Sequence, residues 1–136
     1  MADKLFKLEI IAPEKIFYSG DVEMVEYNTT EGEVGVYANH IPMTQIIAPG
    51  ELIITEPEGV KKDAALHSGF VEVLGDKVTI LTEAVEWPED IDEKRAEEAR
   101  IRAERRIATE SGEADILRAE MALKRALLRL NMAKKK

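Results

Sequence analysis

Six arginines near the end of the chain repeat at one spacing, and their side chains could bind an anion. They fall seven and four residues apart in two runs, Arg95, Arg102, Arg106 and Arg118, Arg125, Arg129. Residues at these steps share one face of a helix. If two such stripes lie side by side, a bound phosphate relieves the repulsion between them, because one guanidinium group can bind two phosphate oxygens at once. The spacing alone favours the alternative, a solvated face with ion pairs such as Glu98 with Arg102.

Other side chains that could perform catalysis form no recognisable arrangement. The sequence contains neither the phosphate-binding loop G-x-x-x-x-G-K-[ST] nor the dinucleotide-binding pattern G-x-G-x-x-G. His40 and His67 stand alone, and no serine lies in a motif expected of an activated nucleophile. Glu31 and Glu33 would share one face of a strand, but an exposed acidic loop explains them as well. We therefore expect a protein without catalytic activity of its own.

The arginines require helices to position them, and the sequence predicts two. Strand-like character ends at Trp-Pro-Glu-Asp, where Glu89 or Asp90 can favour a helix start through the dipole of the first turn. Strong helix formers fill residues 91–109 and residues 113 to about 132, on either side of Ser111-Gly112. These segments predict an antiparallel two-helix hairpin.

Each predicted helix has a stripe of small or apolar residues. The stripe of the first helix consists of Ala96, Ala99, Ala103 and Ile107. The stripe of the second helix consists of Ile116, Leu123, Leu127 and Leu130. A fully buried Leu or Ile contributes roughly 1.5 to 3 kcal/mol, whereas ordering one residue costs about 1 to 2 kcal/mol of backbone entropy. The hairpin is therefore predicted to lie near energetic balance.

The first part of the chain has short apolar runs with a period of two, which predict strands. The runs are LFKLEIIAP, VEMVEYNT, GELIITEP, KDAALHSGFVEV and KVTILTEAVE. Turn-forming clusters lie between them, namely SGD, TEGE, APGE, EPEG and LGDK. Gly75-Asp76 between two strong strands predicts a hairpin. We therefore expect an N-terminal β-sandwich or flattened barrel over residues 1–86, followed by the C-terminal helical hairpin over residues 87–136.

Composition limits the partners of this 136-residue chain. Residues 1–86 hold 6 basic and 16 acidic side chains and would repel nucleic acid, whereas residues 118–136 hold 7 basic residues and one acidic residue. The basic end suits an acidic protein surface or a phosphate ligand. The chain has no cysteine and two histidines, which excludes thiolate and multi-histidine metal centres. Its apolar runs are too short to span a bilayer, and we expect a cytosolic protein.

Two stretches of the first part are distinctive, GEVGVYANHIPM at residues 32–43 and ALHSGFVEVLGDKVTILTEAVE at residues 65–86. They resemble the epsilon subunit of rotary F-type ATP synthases, and the helical hairpin follows where that family has one. The resemblance implies a non-catalytic subunit of the central stalk, peripheral at the cytoplasmic face of the bacterial plasma membrane. It also implies that the β domain attaches to the gamma subunit and to the c-ring, with the loop from Glu33 to His40 at the ring.

The same resemblance implies a regulatory role for the hairpin. In the family, the hairpin lies folded on the β domain or extends along gamma towards the alpha and beta subunits, where it obstructs ATP hydrolysis. Basic residues of the second helix then approach an acidic segment of the beta subunit, and here they correspond to Arg118, Arg125 and Arg129. A hairpin near energetic balance suits such a two-state element.

The stretch I-D-E-K-R-A at residues 91–96 is similar to the I/L-D-x-x-R-A motif by which some bacterial epsilon subunits bind ATP. The residues that the resemblance implies for nucleotide binding are Glu86, Ile91, Asp92, Arg95, Ala96, Arg102 and Arg125. Carboxylates would accept hydrogen bonds from the adenine amino group or the ribose hydroxyls, and arginines would bind the phosphates. ATP would be a regulatory ligand and not a substrate, and the sequence gives no support for an accompanying magnesium ion. The alternative is a purely structural rotor-assembly subunit without nucleotide sensing.

Overall fold

The computed structural model describes residues 4–136 and consists of two compact units. The first unit, up to Glu86, is built of strands, and the second, from Trp87 onwards, is built of helices. The predicted fold class, a β-sandwich or flattened barrel followed by a two-helix hairpin, is confirmed. None of the helices within residues 4–136 is long and apolar enough to cross a membrane.

Within residues 4–86, ten strands join in one continuous hydrogen-bonded sheet. They are β1 (Phe6–Ala12), β2 (Lys15–Val22), β3 (Met24–Thr29), β4 (Gly32–Tyr37), β5 (His40–Ile47), β6 (Gly50–Thr55), β7 (Lys61–Leu66), β8 (Gly69–Gly75), β9 (Lys77–Thr82) and β10 (Val85–Glu86). Neighbouring strands follow the order β10-β7-β6-β3-β5-β8-β9-β1-β2, and β4 pairs with β3. All pairs are antiparallel except β1 with β9, so the first strand closes beside the ninth.

Alternating burial along the strands builds the core of this unit. Leu8 and Ile10 of β1 are fully buried, as are Val71 and Val73 of β8 and Ile80 of β9. Successive side chains of a strand point to opposite faces of the sheet, so these residues line the inner face. Their burial removes apolar surface from water and supplies the main driving force for folding of the sheet.

One predicted turn and one predicted strand differ from the structure. Ser19, Gly20 and Asp21 were expected in a turn, but they belong to β2 and pair with β1. The segment KDAALHSGFVEV was expected as one strand, but it reverses at His67-Ser68 and forms β7 and β8. The hairpin predicted at Gly75-Asp76 is confirmed between β8 and β9, and Gly75 there has a φ of 55°, which glycine adopts without strain.

The predicted loop from Glu33 to His40 is also mostly strand. Residues 32–37 form β4, where Glu33 pairs with Asn28 of β3, and His40 is the first residue of β5. Only Ala38 and Asn39 make the turn, and Asn39 has a φ of 63°. Asn tolerates this left-handed conformation, so the reversal needs no glycine.

The two helices begin and end close to their predicted positions. α1 spans Glu93–Thr109 and α2 spans Glu113–Ala133, with the predicted break at Ser111-Gly112 between them. A short 3-10 turn at Pro88–Asp90 precedes α1. The prediction that Glu89 or Asp90 starts the helix is wrong, because Asp92 is the N-cap residue and its side chain accepts a hydrogen bond from the Arg95 backbone N–H.

The helices α1 and α2 pack against each other, and most of their buried residues are alanines. The buried residues of α1 are Ala96 and Ala103, and α2 buries Ala119 and Ala126 at the same seven-residue spacing. Because α1 packs on α2 and buries little else, we assign these four alanines to the facing sides of the helices and call them the alanine seam. The predicted α2 stripe is partly wrong, because Leu127 is 47% exposed. Alanine allows closer helix approach than leucine, since interaxial distance depends on the side chains at the contact.

A leucine in the alanine seam should therefore open the hairpin. We expect Ala126→Leu to destabilise the pairing of α1 and α2 by about 1 to 3 kcal/mol, because inserted methylenes force the helices apart. Ala114→Leu on the exposed start of α2 is the matched control, since alanine and leucine have nearly equal helix propensity. Amide hydrogen exchange of both helices measures the difference. Equal protection of the two variants would mean that the alanines do not hold the hairpin together.

Candidate functional site

An internal repeat, which the sequence analysis missed, organises the charged residues of the hairpin. Residues 92–106 and 115–129 share the pattern D-x-x-R-A-x-x-A-x-x-R-A-x-x-R. The pattern contains both the alanine seam and all six arginines of the predicted stripes. Aligning the two helices on their alanines would have revealed it. The repeat predicts that the two helices present equivalent faces when they pack.

The packed hairpin brings the two arginine stripes to one face. Arg95 and Arg102 each precede a seam alanine by one residue in α1, and Arg118 and Arg125 do the same in α2. One residue corresponds to a rotation of about 100° from the seam, in the same sense in both helices. Antiparallel helices with equal offsets are related by a twofold axis perpendicular to the hairpin, so both stripes lie on the same side. We call this surface the arginine face, made up of Arg95, Arg102, Arg106, Arg118, Arg125 and Arg129.

Several guanidinium groups of the arginine face have no partner among residues 4–136. Within residues 4–136, the side chains of Arg95, Arg102, Arg106 and Arg125 make no hydrogen bond or ion pair. The predicted pair of Glu98 with Arg102 is therefore wrong. Like charges gathered on one face oppose closure of the hairpin. An anion bound there would offset that repulsion through charge-assisted hydrogen bonds.

Arg100, which the sequence analysis did not single out, makes the ion pairs instead. Its guanidinium binds the carboxylate of Glu97 and lies 2.6 Å from Glu104 Oε1. Hydrogen bonding to Glu97 raises the pKa of Arg100, and the same bond lowers the pKa of Glu97. This cluster pairs Glu97 and Glu104 with Arg100. The arginine face is left without these carboxylates.

The I-D-E-K-R-A segment has structural roles for three of its implied ligands. Ile91 is 2% exposed, and its carbonyl oxygen accepts a hydrogen bond of 2.7 Å from Lys136 Nζ. Asp92 Oδ1 lies 3.0 Å from the Arg95 backbone N and caps α1. Ala96 belongs to the alanine seam. Among the four implied ligands in this segment, Arg95 is the one whose side chain is exposed and makes no hydrogen bond or ion pair within residues 4–136, so it can bind phosphate.

The second copy of the repeat is not equivalent to the first. Asp115 occupies the first turn of α2, whose N-cap is Gly112. Its carboxylate oxygen Oδ1 lies 3.4 Å from Nη1 of Arg118, so these two side chains pair with each other. The first turns of α1 and α2 therefore differ in structure, although they share the sequence pattern of the repeat. Arg129 and Arg125 are half-buried, whereas Arg118 is exposed.

The remaining predicted site residues lie in the first unit. Glu86 ends β10, and its Oε1 lies 3.1 Å from His67 Nε2. Glu33 is exposed on β4, and His40 at the start of β5 donates from Nδ1 to the Ile41 carbonyl oxygen at 2.8 Å. No group of three or more His, Asp or Glu side chains within residues 4–136 could hold a metal ion.

A row of apolar side chains crosses the outer face of the sheet, and the sequence analysis missed it. Register pairs connect Ile46 to Phe70, Phe70 to Leu81, Leu81 to Ile11, and Ile11 to Ile16. Ile16 is 60% exposed, Ile46 64% and Phe70 44%. The next row on the same face is polar and includes Thr44, Glu72, Thr79, Glu9 and Ser19. We call the first set the apolar row. Its members are far apart in sequence, so only the strand register reveals it.

Comparison with protein families matches both units in order. Residues 5–88 match the beta-sandwich domain of the ATP synthase delta/epsilon chain, and residues 89–134 match its long alpha-helix domain. The chain is 44% identical over 133 residues to the ATP synthase epsilon chain of Caldanaerobacter subterraneus subsp. tengcongensis, covering 98% of this chain and 96% of that one. It is 45% identical over 129 residues to the epsilon chain of Clostridium novyi, with coverages of 95% and 98%.

Solved structures with the same fold come from ATP synthases. A chain in the Euglena gracilis mitochondrial ATP synthase, in a structure of OSCP, F1 and the c-ring, superposes with a TM-score of 0.82 and 26% identity. The match covers 96% of this chain and 81% of that one. A chain of the Tetrahymena thermophila mitochondrial central stalk and c-ring gives a TM-score of 0.72 at 15% identity, with coverages of 98% and 99%. The second comparison supports the fold alone.

The two roles of Asp92 can be separated by substitution. We expect Asp92→Ala to destabilise α1 by about 1 kcal/mol, because it removes the side-chain acceptor at the N-cap. Asp92→Asn keeps an acceptor and should leave the helix close to its original stability. Hydrogen exchange of the first-turn amides of α1 measures both. If Asp92→Asn frays the helix as much as Asp92→Ala, then the negative charge and not the cap stabilises this end.

Proposed function

Because the chain belongs to the ATP synthase delta/epsilon chain family, we propose that it acts as the non-catalytic epsilon subunit in the central stalk of a rotary ATP synthase. The observation that carries this proposal is the match of both domains, in order, over nearly the whole chain. The relatives named above are epsilon chains of similar length. In this role the subunit is peripheral at the cytoplasmic face of the plasma membrane and transmits torque between partners.

The apolar row supports attachment of the sheet to the gamma subunit. An exposed apolar surface bordered by polar residues is typical of a protein interface. The row crosses five strands, which corresponds to about 19 Å at the usual strand spacing. A partner helix with an apolar stripe could lie along it, and basic side chains beside that stripe would meet Glu9 and Glu72. Association would then bury Phe70 and the neighbouring isoleucines.

The c-ring is the proposed partner at the turn between β4 and β5. Tyr37 at the end of β4 is exposed, as is Ile41 at the start of β5. Glu33 is also exposed, but it lies near the opposite end of β4, where it pairs with Asn28. His40 lies between Tyr37 and Ile41 and is held by its own hydrogen bond to the Ile41 carbonyl oxygen. A short turn with exposed polar and apolar side chains can contact polar loops of another subunit. This end of the sheet supplies such a surface.

A charge in the apolar row should weaken attachment to gamma. We expect Phe70→Asp to reduce affinity for the gamma subunit at least tenfold, or about 1.4 kcal/mol, because the interface would bury an unpaired carboxylate. Val60→Asp replaces another exposed apolar residue outside the row and serves as the matched control. Co-purification and titration with the gamma subunit measure both variants. If the two variants bind gamma equally well, another surface of the sheet makes the attachment.

We further propose that ATP is a regulatory ligand of the arginine face. The proposed nucleotide-binding residues are Glu86, Ile91, Asp92, Arg95, Ala96, Arg102 and Arg125. The unpartnered guanidiniums of Arg95, Arg102 and Arg125 support this proposal, because phosphate would offset their repulsion. A ligand selective for the folded hairpin, at about 100 times its dissociation constant, stabilises that state by about 2.7 kcal/mol. A free energy of this size reverses the ratio of open to folded hairpins when the two states are close to equal in energy.

Loss of the bound ATP would release the hairpin, and the released hairpin would inhibit ATP hydrolysis by the complex. The opened helices would extend towards the alpha and beta subunits. Arg118, Arg125 and Arg129 would then meet an acidic segment of the beta subunit. These residues belong to a segment with 7 basic residues and one acidic residue, which suits an acidic partner. The same arginines thus serve the ligand in one state and the partner in the other.

Neighbouring arginines of α1 offer a matched test of nucleotide binding. We expect Arg102→Gln to weaken ATP binding about tenfold, because a hydrogen bond to a charged group is worth about 1.5 to 3 kcal/mol. Arg100→Gln should change binding less than about twofold, since Arg100 is held by Glu97 and Glu104. Calorimetric titration with and without magnesium gives the affinities, and small-angle scattering follows compaction.

The opposite results select the second candidate function. If millimolar ATP neither binds nor compacts the isolated chain, the hairpin is a structural element of rotor assembly without nucleotide sensing. Equal weakening by Arg100→Gln and Arg102→Gln would indicate non-specific attraction of an anion to α1. Attachment to gamma would be unaffected by either result, because it depends on the sheet.

A further inference from the structure

A hydrogen bond joins the two ends of the hairpin that lie away from its loop, and the functions proposed above do not use it. Lys136 Nζ donates to the Ile91 carbonyl oxygen at 2.7 Å, across 45 residues of chain. Ile91 lies just before α1, and Lys136 lies just after α2. Both residues belong to the second unit. We call this contact the end latch.

The acceptor of the end latch is a carbonyl group that the hydrogen bonding of α1 does not use. The first backbone acceptor of α1 is Asp92, whose carbonyl oxygen accepts from the Ala96 N–H at 3.0 Å. Ile91 precedes Asp92 with an extended backbone, φ −81° and ψ 126°, and is 2% exposed. A backbone carbonyl that is buried without a donor is unfavourable. Lys136 supplies a donor, and its positive charge strengthens the bond.

The donor of the end latch lies on a continuation of α2. The Lys135 N–H donates to the Met132 carbonyl oxygen at 2.9 Å, and the Lys136 N–H donates to the Ala133 carbonyl oxygen at 3.3 Å. Hydrogen bonds between residues three apart tighten the last turn of a helix. Lys136 follows Arg129 by seven residues, so it lies on the same side of α2 as the arginine face. The latch thus holds a cation of that side against a backbone oxygen.

The bulkier buried side chains of the second unit lie at the same end of the hairpin. Within residues 87–136, the buried residues larger than alanine are Pro88, Ile91 and Met132. α2 also contacts the 3-10 turn that contains Pro88. Burial of an isoleucine or a methionine stabilises a fold more than burial of the methyl group of an alanine. The latch end is therefore better stabilised than the alanine seam.

We propose that the end latch is a conformational device that controls opening of the hairpin. The two helices are joined covalently through residues 110–112, so their separation about this connection moves the far ends apart the most. A contact between the far ends must break before the helices can separate in this way. Release of Lys136 is then the first step of opening and precedes loss of the alanine seam. This inference does not depend on nucleotide binding by the arginine face.

Three substitutions separate the end latch from the charge of its lysine. Lys136→Met removes the donor and keeps an unbranched side chain, and we expect the amides of α1 to exchange with solvent deuterium about tenfold faster, because exchange follows the opening equilibrium. Lys136→Arg keeps a cationic donor and should stay within about twofold of the parent chain. Lys134→Met removes the same charge from an exposed residue two positions away and is the matched control, with an expected change below about twofold.

The amides of α1 are the readout because fraying at the end of α2 leaves them unchanged. All measurements use the full chain without nucleotide. If Lys136 only adds to the positive charge of the arginine face, its removal eases closure, and Lys136→Met exchanges more slowly than the parent chain. Slower exchange, or the same exchange as in Lys134→Met, would overturn the inference.

Carbon NMR of the Ile91 carbonyl group tests the contact directly. With an isotope label at that carbon, Lys136→Met should move the signal from its position in the parent chain, because the oxygen loses its hydrogen-bond donor. Lys134→Met should leave the signal in place. An Ile91 signal that is unchanged in Lys136→Met would mean that the latch does not form in solution, and the inference would fail whether or not the arginine face binds a nucleotide.

Discussion

The close packing of two helices through alanine is the constraint on which the second unit depends. Because each seam alanine follows an arginine in both helices, the packing that brings the axes together also gathers the guanidiniums. The attraction is weak, since four methyl groups bury little area, and the repulsion grows as the helices close. A small external interaction can therefore change the balance. Packing and charge thus act against each other in this unit.

The sheet has a different balance, because its core is large and continuous. Side chains such as Leu8, Val71 and Ile80 fill the inner face and leave the outer face free to carry recognition. The exposed apolar row lowers the solubility of the isolated unit and does not contribute to its core. Such a surface is retained when it is covered in an assembly. The first unit thus combines a large core with an exposed apolar row, whereas the second unit has a small alanine contact.

Local chemistry was predictable from the sequence, and long-range geometry was not. The helix break at Ser111-Gly112 and the hairpin at Gly75-Asp76 follow from local conformational preferences. The helix contact was misassigned because hydrophobic periodicity gives more weight to bulky side chains. It therefore placed Leu127 in the buried stripe of α2, where the structure has Ala126. Asp92 was singled out as a ligand, although its first role is to cap α1. The apolar row and the contact of His67 with Glu86 join residues whose pairing only the folded sheet defines.

The internal repeat gives the two helices of the hairpin the same pattern of alanines and arginines, although their first turns differ. An opened α1 can therefore find its complementary alanines in α2 of a second molecule as well as in its own chain. Exchange of identical elements between molecules is a low-cost route to dimers. High protein concentration would favour this exchange whenever the hairpin is open, and a bound anion would suppress it. The association state of the isolated chain is accordingly expected to vary with its concentration.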